Sequence, residues 1–161
     1  MKWQISVMFW GCLWQNELGL LIALPKGRIN SSIYSKILQD HLFPFYSVVQ
    51  GVLGSDPWLM EDNCKVHRSI ASTALKDELG IRMLEWPSYS PDLNLIENLW
   101  KLWKDLIQKA NPQPTDCDKL IEVAVAAWEE LKMTEISQTL ANSIKNRVVA
   151  LKAAKGHPTK Y

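Results

Sequence analysis

The chain has 161 residues, enough for one domain with a substantial core and too few for two comfortable ones. Hydrophobic residues make up 47%, charged residues 22%, and eight are tryptophan, which excludes a disordered chain. A net charge of +1 excludes binding to nucleic acid by bulk charge and leaves only a local patch for that purpose.

Residues 4–14 alternate and then become continuously apolar, as a strand covered on both faces would. Residues 18–25 repeat the pattern, and the polar Gln15-Asn16-Glu17 between them predicts a hairpin. Asn30 or Ser31 then caps a helix whose Ile33, Tyr34, Ile37, Leu38 and Leu42 share one face, and Pro44 is expected to stop it. After a turn region at 51–57, a strand at 58–62 delivers Asp62 and Asn63 to its C-terminal end. A helix from about His67 to Leu79 follows, with Ile70, Ala74 and Leu75 inward and Gly80 as its stop. Residues 81–86 form a short strand.

The stretch Trp86 to Trp100 joins that strand to a further helix. Pro91 suits the first helical positions, Asp92 or Asn94 can cap the start, and Asn94 with Glu97 has capping-box spacing. From Leu93 the apolar positions Ile96, Leu99, Trp100, Trp103, Leu106 and Ile107 follow a 3.6-residue period, which sets Glu97 on the margin of the buried stripe. After Pro112 and Pro114, residues 118–132 and 135–154 read as two more amphipathic helices. The expected division is 1–110, an α/β part, and 111–161, a helical extension with a basic tail carrying Lys145, Arg147, Lys152, Lys155 and Lys160 and no acid.

This element order implies an α/β fold with a partly parallel sheet, in which chemistry collects at the carboxyl ends of strands. Asp62 and Glu97, with 34 residues between them, are spaced to return to one edge. Carboxylates without paired cysteine or histidine ligands suit Mg²⁺ or Mn²⁺. Plainer roles stay open: Glu97 as a surface acid paired with Lys101, Asp62-Asn63 as a turn, His67 as a helix-start residue. Cys12, Cys64 and Cys117 suggest neither a disulfide framework nor a zinc site. No signal peptide is read at the N-terminus, and no apolar run is long enough to span a membrane.

Glu61-Asp62-Asn63 with His67-Arg68, followed by Gly80 through Trp100 with its Pro-Asp-Leu-Asn and Ile-Glu-Asn-Leu-Trp steps, resembles the catalytic region of mariner and Tc-like transposases. Residues 7–12, 34–45, 143–147 and 154–161 resemble other parts of such proteins. The resemblance implies an RNase H-like domain of the DDE superfamily, which cuts and joins DNA strands with two Mg²⁺ ions and no covalent enzyme intermediate. Carried over by position, Asp62 matches the second acidic metal ligand and Glu97 the third. Asn63 and His67 match polar positions after the second acid, and Asp92 and Asn94 match the turn that places the third.

The departures set further expectations. The family's first aspartate and its strand lie upstream of the segment resembled by residues 7–12, so the fold is expected to be incomplete, the metal site partial and the chain inactive alone. Cys64 and Lys65 replace the family's alanine and proline, and Leu95 replaces its proline; a lysine beside Asp62 would compete for the carboxylate. The alternative is a non-catalytic module whose basic residues Lys145, Arg147 and Lys155 contact DNA, or which associates with a full-length transposase or with itself. The resemblance implies nuclear action and no membrane partner.

Overall fold

The computed structural model describes residues 5–15, 17–85, 93–155, 157 and 159, and the chain divides into two units, Met1–Lys26 with Pro91–Tyr161, and Gly27–Ser90. Helices predominate in both. Among the described residues the strands form two separate pairs, one antiparallel and one parallel, where a single partly parallel sheet was expected.

In the first unit, β1 (Phe9–Leu13) and β2 (Leu18–Ala23) are the predicted hairpin, antiparallel with Phe9 opposite Ala23 and a register irregularity between Gly11 and Leu13. Helices α4 (Leu95–Lys109), α5 (Cys117–Lys132) and α6 (Ile136–Ala153) pack with it, so the helical extension expected from residue 111 shares this unit with α4 and the hairpin. The core is Leu18, Leu99, Trp103, Ala124, Ala127, Trp128, Leu131 and Leu140. Tryptophan rings fill it in edge-on and tilted pairs, Trp100–Trp103 at 5.2 Å, Trp100–Trp128 at 5.4 Å and Phe9–Trp103 at 5.0 Å. The Trp103 indole N–H donates to the Ala124 carbonyl at 2.7 Å and the Trp128 indole N–H to the Gly19 carbonyl at 3.0 Å. Gly11 is required by this packing, because a Cβ there would lie 2.9 Å from Trp100.

In the second unit, α1 (Ser31–Ile37) starts at Asn30, whose Oδ1 accepts the Ile33 N–H at 2.9 Å. Pro44 does not end the helical run. A π-helical turn at Leu38–Leu42 precedes α2 (Phe43–Leu53), and Pro44 occupies the first positions of α2. The Phe43 N–H reaches the Leu38 carbonyl, and this wider turn accommodates the proline ring and its missing donor. The parallel pair is β3 (Trp58–Leu59) with β4 (Arg82–Met83), both shorter than the strands expected at 58–62 and 81–86. Tyr46 ties their ends, its hydroxyl donating to the Pro57 carbonyl at 2.6 Å and accepting the Arg82 N–H at 3.2 Å.

Helix α3 (Ile70–Glu78) is capped by Ser69, two residues after the expected start region at His67. Its inward face carries Ser72, Leu75 and Lys76, while Ile70 is 91% exposed and Ala74 faces solvent, contrary to expectation. Its C-terminus is a Schellman motif around Gly80 at φ +67°, with the Gly80 N–H on the Asp77 carbonyl and the Ile81 N–H on the Lys76 carbonyl.

Trp128→Ala is expected to cost about 3–5 kcal/mol, read by urea unfolding followed by tryptophan fluorescence, because it opens a cavity and leaves the Gly19 carbonyl unpaired. Asp116 caps α5 by accepting the Lys119 N–H at 2.9 Å, and this bond, with Thr115 and the Lys119 charge, holds its carboxyl below the ordinary value. Its folded pKa lies below the unfolded one, so the cap's contribution is present above about pH 4 and is lost as the pH falls through the folded pKa. Asp116→Asn is expected to remove that part of the acid dependence, measured as thermal midpoint against pH.

Candidate functional site

Beyond β3 the chain runs through residues 60–64 without regular secondary structure. Glu61 goes in and Asp62 goes out, with side chains 10% and 55% exposed. Asp62 Oδ1 accepts the Cys64 N–H at 2.9 Å and lies 2.7 Å from His67 Nδ1, closing a side-chain turn around residues 62–64. The chain then turns, with the His67 and Arg68 N–H groups on the Cys64 carbonyl, and enters α3 at Ser69. Asn63 is half-buried in the same loop.

Beneath this loop is a buried polar cluster. The Tyr34 hydroxyl and the Lys76 ammonium both donate to Glu61, one to each carboxylate oxygen, and Lys76 also donates to the His67 carbonyl at 3.0 Å. Tyr34 and Lys76 are 2% and 3% exposed. The Tyr34 ring lies 4.5 Å from the His67 ring. Burial first, and the Glu61 charge second, push the Tyr34 phenol well above its usual range, so it stays a neutral donor. Asp62, His67, Arg68, Thr73, Asp77 and Glu85 line an open cleft of about 210 Å³ beside the loop. The competing lysine expected at position 65 is exposed, and the described partners of Asp62 are the Cys64 amide and His67.

In the other unit, Leu93 is buried and Asn94 is the N-cap of α4. The capping box does not form: the Asn94 side chain makes no capping bond, and the Glu97 N–H reaches the Asn94 backbone carbonyl at 3.2 Å. Glu97 is exposed, where partial screening was expected. It lies two residues, about 200° around the helix, from the fully buried Leu99, so it projects away from the core. Among the described residues the ion pairs are His67–Asp62, Lys76–Glu61 and Lys132–Glu129, so Glu97 is not paired with Lys101. A carboxylate in the first turn is favoured by the helix dipole without a cation. Asp92 lies outside the described residues.

Arg147, expected as a phosphate contact, is 3% exposed. Its guanidinium donates to Asn98 Oδ1 at 2.8 Å and to Ser143 Oγ at 2.7 Å, joining α6 to α4 beside Glu97. Lys145 and Lys155 are exposed, as a contact to an anion requires.

The structure therefore brings Asp62, Asn63 and His67 together in one loop, and Asn94, Glu97 and, through Asn98, Arg147 around the start of α4. Residues that sequence reasoning missed are Glu61, Tyr34 and Lys76. A lysine at a buried helical position, one residue from Leu75, was the available signal. Asp62 and Glu97 offer exposed carboxylate oxygens, the donor type that Mg²⁺ and Mn²⁺ take. Among the described residues no group of three or more His, Cys, Asp or Glu side chains is placed to hold an ion. None of the described helices is long and apolar enough to cross a membrane.

A family model described as DDE superfamily endonuclease matches residues 10–121. The chain is 32% identical over 156 residues to the transposable element Tcb1 transposase of Caenorhabditis briggsae, covering 97% of this chain and 55% of that protein. It is 30% identical over 160 residues to the transposable element Tc1 transposase of Caenorhabditis elegans, with the same coverage of 97% and 55%. The chain thus spans about half the length of these curated relatives. Its fold is similar to that of the Mos1 transposase catalytic domain solved with raltegravir and magnesium, with a TM-score of 0.81 at 15% identity over 96% of this chain and 77% of that one. The Mos1 transposase paired-end complex with the left transposon end matches with a TM-score of 0.80 at 16% identity, over 99% of this chain and 46% of that one. These likenesses bear out the RNase H-like fold class.

Arg147→Met is expected to destabilise the unit by about 2 kcal/mol in chemical unfolding, because a charged hydrogen bond is lost inside it. Lys145→Ala and Lys155→Ala are expected to stay within about 0.5 kcal/mol of the parent in the same experiment, as exposed residues do.

Proposed function

The chain belongs to the DDE superfamily endonuclease family, and on that premise we propose that it is part of the catalytic domain of a Tc-like transposase, with Asp62 and Glu97 as two of the acidic ligands for Mg²⁺ or Mn²⁺. The observation that carries this reading is the pair of outward carboxylates, one in the loop after a parallel strand and one in the first turn of a helix, within the span the family model matches. Ions bound by such carboxylates would stabilise the attacking and leaving oxygens of an in-line displacement at a DNA phosphorus. The chain's own residues hold and orient. The Cys64 amide fixes Asp62 Oδ1, with His67 Nδ1 2.7 Å from it, the first turn of α4 presents Glu97, and Arg147 secures that helix through Asn98.

DNA is the substrate and partner on this reading, consistent with a structural neighbour solved as a complex with a transposon end. Lys145 and Lys155, both exposed on or just after α6, are the phosphate contacts we assign. Arg147 is assigned no such contact. Nuclear action follows from the family. With two carboxylates assigned, the polypeptide by itself is expected to lack strand cleavage; a third ligand would have to complete the site.

Two measurements test this. Incubated with transposon-end DNA and Mn²⁺, the isolated chain is expected to nick no faster than buffer, and nicking abolished by Glu97→Gln would overturn the claim of inactivity. DNA binding is expected to fall steeply with salt, and Lys145→Ala to reduce the slope of log K against log salt by about 0.9. A slope unchanged by substitution at both Lys145 and Lys155 would remove these residues from the interface.

A further inference from the structure

Asp62 sits on a loop, and loops are the more mobile parts of a fold. The loop backbone alone does not fix a carboxylate that is 55% exposed. What lies under the loop does. Lys76, in the last turn of α3, reaches Glu61 at one end of the segment and the His67 carbonyl at the other, so a single buried ammonium holds both ends of the seven residues that present Asp62. Tyr34, from α1, donates to the second oxygen of Glu61 and packs its ring on His67, the residue whose Nδ1 meets Asp62. Helices α1 and α3 thus converge on the segment from the side opposite to the carboxylate.

A buried ion pair is poorly explained by stability, since the cost of desolvating both charges offsets most of their attraction and apolar residues of similar volume would serve as well. Specific geometry is what hydrogen-bonded charges supply and apolar packing does not. We propose that Lys76, acting with Glu61 and Tyr34, is a positioning residue that fixes the Asp62 carboxylate and its turn for metal binding. The metal part of this rests on the reading of Asp62 as a ligand; the fixing of the turn does not.

The Cys64 amide reports the turn directly, because it donates to Asp62 Oδ1 at 2.9 Å. Its hydrogen exchange can be followed by NMR in the ¹⁵N-labelled chain. Tyr34→Phe keeps the ring on His67 and removes one hydroxyl; it is expected to speed Cys64 exchange about threefold while the amides of α3 keep their protection. Lys76→Met is expected to speed it about tenfold and also to lower the thermal midpoint, because Glu61 is left buried and unpaired. The double variant Glu61→Gln with Lys76→Met removes both charges. It is expected to regain the thermal midpoint and to keep the fast Cys64 exchange, since nothing then holds the His67 carbonyl. Wild-type exchange at Cys64 in the double variant, or in Tyr34→Phe, would overturn the positioning role and leave a purely structural one.

Mn²⁺, added as the probe, separates the two claims. Paramagnetic broadening at residues 62–64 is expected to vanish in Asp62→Asn and to need about tenfold more Mn²⁺ in the double variant. Absence of broadening in the wild type, or broadening unchanged in Asp62→Asn, would overturn Asp62 as a ligand whatever Cys64 does. Broadening lost in Asp62→Asn but equal to wild type in the double variant would overturn the contribution of Lys76 to metal binding.

Discussion

The ion pair between Lys76 and Glu61 is the contact on which the geometry around Asp62 depends. Neither charge could be buried alone, because an unpaired ammonium or carboxylate at this depth costs several kcal/mol. Together, with the Tyr34 hydroxyl and the His67 carbonyl taking up further hydrogen bonds, they are almost fully satisfied. The pair links a helix to a loop segment across fifteen residues of chain, with Glu61 turned inward and its neighbour Asp62 outward.

Glu97 is placed by a different means. Helix α4 is fixed by Leu99 and Trp103 in a core of edge-on and tilted indoles, and the helical rotation between positions 97 and 99 then dictates that Glu97 points outward. No side-chain partner is needed, because helix geometry already restricts where the carboxylate sits. The close approach of Trp100 to Gly11 and the Arg147–Asn98 bond remove the freedom of α4 to rotate or slide. The loop acid requires a dedicated hydrogen-bonded support, whereas the helix acid inherits its position from apolar packing.

Patterns that depend on one kind of local interaction were legible in the sequence. The hairpin was readable from two apolar runs around a short polar turn, α5 and α6 from their periods, and the end of α3 from Gly80, where a positive φ is needed. Asp62 and Glu97 were readable as acids near element ends, although Glu97 was expected half-screened and is exposed. Features set by tertiary contacts were not. Pro44 has the same sequence signature whether it ends a helix or follows a π turn, and only the packing of Leu38 and Leu42 decides. Ser69, not His67, caps the start of α3, and its buried face carries Lys76 while Ile70, expected inward, is exposed. A lysine at a core-facing position reads as solvated until its carboxylate partner, fifteen residues earlier, is brought beside it. Arg147 misled in the same way: a basic tail suggested phosphate binding, but one of its cations is consumed inside the fold.

These two supports differ in how they fail. Loss of an apolar contact behind α4 lowers stability broadly and moves Glu97 only if the helix itself shifts, because the helix remains a rigid body. Loss of a hydrogen bond under the Asp62 loop releases a few residues whose backbone is held at its ends, so a small energetic change becomes a local displacement. Preorganisation of a carboxylate to within a fraction of an ångström is what a divalent ion requires of its ligands. On that ground the Tyr34–Glu61–Lys76 cluster is where substitutions separate stability from site geometry, and the tryptophan core is where the two change together.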